Sequence, residues 1–159
     1  MSSGEKDTRS GSGVAKDPAQ AVPWFQKAAD AGNAWAMFNL GYAYTDGVGV
    51  EKDEAAGTAW FQKSADKGDT DAMCAIGKNY RDGRGVDQDY QAAITWFRKA
   101  ADHGSTLGMR LVATIYANGQ GVDRDLDEAA RWAQKAIDAG DPIGKDLLKS
   151  INKDRNAGN

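Results

Sequence analysis

The sequence predicts an all-α fold of stacked helix pairs, about three and a half copies of a 36-residue unit. Three observations carry this. Trp24, Trp60, Trp96 and Trp132 stand 36 residues apart, and each opens a segment closed by glycine: Gly32, Gly68, Gly104 and Gly140. A Gly-x-Gly-Val connector recurs at the same period, at Gly47/Gly49/Val50, Gly83/Gly85/Val86 and Gly119/Gly121/Val122, with a truncated forerunner at Gly11/Gly13/Val14. Between these marks, small and apolar residues recur three and four positions apart, the spacing of one helix face. One helix pair cannot bury its own apolar face, so neighbours must stack.

Taken in order, residues 1–12 read as a flexible tail, 13–152 as the repeat array and 153–159 as a polar C-terminal tail. Asp17 and Pro18 suit the start of a helix, but Pro23 falls inside it and predicts a bent or late beginning. The first helix of the first full copy runs from about Ala34 to Asp46, with Ala36, Leu40, Gly41 and Tyr44 on one face. Its equivalents are Ala72, Ile76, Gly77 and Tyr80, then Gly108, Val112, Ala113 and Tyr116. The first connector glycine suits the left-handed position past a helix end. Asp53, Asp89 and Asp125 suit the N-cap of the next helix, and Asp17/Gln20 and Asp125/Glu128 resemble capping boxes. The second helix, from about Asp53 to Lys67, aligns Ala56, Trp60, Ser64 and Lys67, flanked by Ala59 and Ala65. A buried tryptophan contributes on the order of 150–250 Å², so the four tryptophans are expected to form the spine of the array. A last helix from about Pro142 to Ile151 carries Lys149 in place of Gly41 and Asn152 in place of Tyr44, and reads as a terminal cap.

Composition narrows the function classes. Of 159 residues, 41% are hydrophobic and 27% charged, an ordinary globular balance without a run long enough to span a bilayer. A net charge of −3 without a basic block argues against nucleic acid and anionic lipid as partners. Cys74 is the only cysteine, so no disulfide forms within the chain, and His103 is the only histidine. Residues 1–10 lack the apolar core of a secretory signal. The expected location is cytoplasmic as the chain stands, and periplasmic or secreted if a leader has been removed.

The combined pattern is Trp-x-x-Lys-Ala-Ala-x-x-Gly, Ala-x-x-x-Leu-Gly-x-x-Tyr and Gly-x-Gly-Val-x-x-Asp. Over about residues 11–148 it resembles the Sel1-like repeat family, relatives of the tetratricopeptide repeats. The resemblance implies α/α repeats wound into a right-handed superhelical solenoid. It also implies a bacterial protein-interaction scaffold or adaptor, of the kind used in signalling, secretion, envelope assembly and host contact. Cysteine-rich members are associated with β-lactam compounds, which supplies the alternative of a small-molecule binder or hydrolase. A single cysteine departs from that subfamily.

In related repeats the first helix of each pair lines the concave face. That register places Trp35, Phe38, Tyr42 and Thr45 there, then Cys74, Lys78, Arg81 and Arg110. Trp35, Phe38 and Tyr42 follow i, i+3, i+7, an aromatic stripe suited to anchoring a partner. Lys78, Arg81 and Arg110 form a basic cluster suited to carboxylates, so the expected partner is a protein or peptide with an apolar residue and an acidic group. The opposing expectation is that the aromatics pack on the incomplete first helix and the charges are simply solvated. Leu111, Ile115, Leu147 and Ile151 are apolar where earlier copies are polar or small, which predicts closer packing of the last helices or a weak dimer contact in an otherwise monomeric protein.

No cofactor or metal is expected. The Gly-x-Gly follows no strand and recurs as a helix connector, so it is a poor phosphate loop. Asp46, Glu51 and Asp53 lack the spacing of an EF-hand. His103 sits at a helix C-terminus on a different helix from Cys74, which leaves no nucleophile–base pair to argue for catalysis.

Overall fold

A computed structural model describes residues 17–158. The expected tail 1–12, the proposed domain start at 13 and the Gly11/Gly13/Val14 forerunner lie outside them. The described residues hold eight helices and no strand: α1 Pro18–Asp30, α2 Ala34–Asp46, α3 Glu54–Asp66, α4 Thr70–Asp82, α5 Tyr90–Asp102, α6 Thr106–Asn118, α7 Leu126–Asp138 and α8 Gly144–Ala157. They fall into two compact units, one holding α1–α3 and the other α4–α8.

The helix boundaries are local chemistry repeated. Gly47, Gly83 and Gly119 close their helices at φ 68°, 70° and 64°, a conformation that costs glycine nothing. The connector then returns to the helix it left. The Asp53 N–H donates to the Tyr44 carbonyl (2.7 Å), Asp89 to Tyr80 (2.8 Å) and Asp125 to Tyr116 (2.9 Å). The same three aspartates cap the next helix, with Oδ1 accepting the N–H of Ala56 (3.0 Å), Ala92 (3.0 Å) and Glu128 (2.9 Å). Asn33 and Ser105 cap α2 and α6 in the same way, through Ala36 (2.9 Å) and Gly108 (3.0 Å).

In the first unit, α1 packs on α2 and α2 on α3. Ala29, Ala36, Met37 and Leu40 form a core against which Val22, Phe25, Tyr44 and Trp60 pack. The Ser64 hydroxyl donates to the Ala34 carbonyl (2.7 Å), tying α3 to the start of α2. In the second unit, α4 pairs with α5, α6 with α7, and α8 packs on α7. Phe97, Val112, Ala113, Ile115, Ala129, Ala133 and Ile151 belong to its core, with Leu111 and Leu147 packed against it. The apolar C-terminal residues thus serve the closer packing of the last helices.

Several expectations need correction. The tryptophans are not the spine: Trp24 is 70% exposed, Trp60 and Trp96 are half-buried, and Trp132 alone reaches 9%. The buried ring is the next residue, with Phe61 at 1% and Phe97 at 0%. The inward face of α3 is therefore Gly57, Phe61, Ser64 and Ala65, rotated by one residue from the expected Ala56 and Trp60 line, and Ala59 and Lys67 are exposed. Each tryptophan instead lies under the lysine three positions on, from 4.3 Å at Lys135–Trp132 to 5.8 Å at Lys27–Trp24.

The ends also differ. α1 begins at Pro18 despite Pro23 inside it, and Asp17 makes no side-chain cap. At Asp125 only half of a capping box exists, because the Glu128 carboxylate turns to Arg131 and to the Trp132 indole N–H (3.0 Å). α8 starts at Gly144 and runs through the supposed polar tail to Ala157, held by ion pairs of Arg155 to Asp127 (2.7 Å) and Arg124 to Asp154 (3.7 Å).

Candidate partner-binding surface

The three aromatics of α2 do not act as one stripe. Trp35 turns towards α1 and meets Phe25 edge-on, ring centres 5.5 Å apart. Phe38 and Tyr42 meet each other at 4.9 Å and both lie on the buried Phe61, at 5.7 and 5.1 Å. Trp35 stays 63% exposed and Tyr42 42%, while Phe38 is half-buried. Packing on α1 therefore holds for Trp35, yet it leaves most of the indole in solvent. Thr45, placed on the same face by register, is buried, and its hydroxyl donates to the Gly41 carbonyl (2.6 Å).

The basic residues lie in the second unit and are only partly available. Arg81 closes two hydrogen bonds on its neighbour Asp82 (2.9 and 3.0 Å), which holds that carboxyl below its usual value and raises the guanidinium. Arg110 Nε lies 2.6 Å from the buried Asp141 carboxylate. Asp141 also receives the Ile143 N–H (3.2 Å), so this pair orders the turn into α8. The Lys78 and Arg110 charges favour the Cys74 thiolate, and the Asp71 charge opposes it. The thiol itself is buried, 3.7 Å from the Ser105 hydroxyl. Burial raises its pKa above 9.0, outweighing the lowering by the Ser105 hydrogen bond and by the Lys78 and Arg110 charges. Cys74 thus faces inward rather than lining a groove. His103 Nδ1 lies 2.8 Å from the carbonyl of Lys99 on its own helix, so it is not the partner of the thiol.

Two features escaped the sequence reading. The exposed Trp24 with Ala19, Gln20, Pro23 and Lys27 lines an open depression on α1. On α8, Lys145, Lys149 and Lys153 share another with Ile137 and Leu148. The i, i+4, i+8 spacing of the lysines was the available signal for the second. No group of three or more metal-ligating side chains exists among the described residues. No helix there is long and apolar enough to cross a membrane.

A family model described as Sel1 repeat matches residues 9–33, 36–69, 70–105 and 106–141. The chain is similar to a Sel1 repeat protein from Oxalobacter formigenes, at 38% identity and TM-score 0.80, over 90% of this chain and 58% of that one. It is similar also to c5321, a protective antigen of uropathogenic Escherichia coli strains with an SLR fold, at 36% identity and TM-score 0.80, over 91% of this chain and 31% of that one. The chain thus spans less than two thirds of either relative. Cysteine rich protein B of Helicobacter pylori shares the fold at 17% identity and TM-score 0.63, over 86% of this chain and 96% of that one. No curated protein matches the chain in sequence.

Proposed function

Because the chain belongs to the Sel1 repeat family, we propose that it is a non-catalytic scaffold for protein–protein contact, holding its partner through the exposed aromatic edge of α2. Members of the family generally serve as protein-interaction scaffolds. The carrying observation is that Trp35 and Tyr42 remain in solvent while Phe25, Phe38 and Phe61 brace their rings. Rings fixed before binding lose little freedom on binding, and aromatic anchors dominate interface energetics. In the second unit Lys78 supplies steering charge for carboxylates, with Arg81 and Arg110 already shared with Asp82 and Asp141. The partner that fits the α2 edge is a protein or peptide segment presenting an apolar side chain, and Lys78 favours such a partner with a net negative charge.

The test is capture from a lysate of the source organism, followed by a dissociation constant measured on the purified captured protein. Trp35→Ala/Tyr42→Ala, shown by circular dichroism to keep its helicity, is expected to lose at least about tenfold in affinity. Lys78→Glu is expected mainly to slow association and flatten its salt dependence. A folded double variant that binds the same protein undiminished removes the aromatic edge as the site.

A further inference from the structure

In α2 and α4, glycine stands where the following helix sets a phenylalanine ring. A Cβ at Gly41 would be 2.4 Å from Phe61, and one at Gly77 2.4 Å from Phe97. The 36-residue period aligns α8 with these helices, so Lys145, Lys149 and Lys153 fall where α2 has Met37, Gly41 and Thr45. A phenylalanine ring placed as those over Gly41 and Gly77 would meet the Lys149 side chain here. The spacing i, i+4, i+8 instead lines three ammonium groups along about 12 Å of helix. They border an open groove of about 890 Å³ whose apolar lining is Ile137 and Leu148. All three lysines are exposed, and among the described residues none forms an ion pair. Their neighbours Asp154 and Arg155 do, with Arg124 and Asp127. Three ammonium groups against a single carboxylate, Asp146, on the same groove are a local exception on a chain of net charge −3.

We propose that this face docks an acidic amphipathic helix of a partner protein. Its carboxylates, four residues apart, meet the three lysines, and one apolar side chain enters the groove between Ile137 and Leu148. Charge complementarity selects an acidic occupant, and the apolar floor selects a polypeptide over a polyanion, which has nothing to place there. Repulsion from the rest of an acidic chain further disfavours nucleic acid. This docking does not depend on the aromatic edge of α2.

Fluorescence anisotropy of the full chain tests this with a labelled, helix-forming synthetic peptide of about 15 residues, glutamate at every fourth position and leucine beside it. The expected result is saturable binding that weakens at least about tenfold for Lys145→Gln/Lys149→Gln/Lys153→Gln, and likewise for a peptide with glutamine in place of glutamate. Added salt weakens it further. Unchanged affinity of the lysine variant, with wild-type helicity, overturns the proposal. So does an absence of saturable binding, or tighter binding of single-stranded DNA or phosphatidylserine vesicles than of the peptide.

Discussion

At Gly41 and Gly77 the missing Cβ sets how closely two helices approach, because Phe61 and Phe97 fill the space. Gly41→Ala or Gly77→Ala is expected to cost about 1–3 kcal/mol in urea denaturation, although alanine is the better helix former. In the third copy the pair becomes Ala113 and Ala133, both fully buried in one core, and there Trp132 goes in as well. A smaller neighbour leaves room for the indole. The sequence marks Trp60 and Phe61 equally, and one residue of rotation, about 100° on a helix, decides which faces inward. Pattern alone could not make that choice, since both are large and aromatic; the contact to a glycine 20 residues away makes it. Phe97→Ala is accordingly expected to cost about 3–5 kcal/mol, whereas Trp24→Ala stays within about 0.5 kcal/mol. Cys74 adds a pH signature. Burial raises its folded pKa above the unfolded 9.0, so its contribution is complete below that value and lost as pH rises through the folded one. A thiol reagent at neutral pH is expected to label the native protein far more slowly than the denatured chain.

The helices themselves were the most legible level. Glycine past each end is a local signal, as are aspartate before α3, α5 and α7, Asn33 before α2 and Ser105 before α6, and together they set the boundaries of these helices. Replacing Asp89 by alanine is expected to lower the urea midpoint by an amount equivalent to about 1 kcal/mol, with serine or asparagine restoring most of it. The C-terminal extension of α8 was illegible for a physical reason. Lys153, Asp154 and Arg155 are polar yet compatible with a helix, and no stop signal precedes Gly158. What Asp154 and Arg155 pair with, Arg124 and Asp127, is remote in sequence. The aromatic stripe has the correct helical spacing, but its partition between Phe25 and Phe61 depends on neighbouring helices that spacing does not describe.

For the molecule as a whole, a 36-residue period repeated across the chain, with packing residues kept and others varied, makes each unit a frame for different surface chemistry. A partner bound to the folded chain raises its stability, by about 2.7 kcal/mol at a hundredfold excess over the dissociation constant. The central claim is that the aromatic edge of α2 is where that partner sits. A photo-crosslinking amino acid placed at Tyr42, at Trp35 and, as a control, at the exposed Thr95 tests it most directly. The account predicts one discrete crosslinked protein, the same from positions 42 and 35, and none from 95. The same product from all three positions, or none from 42 and 35, would contradict it.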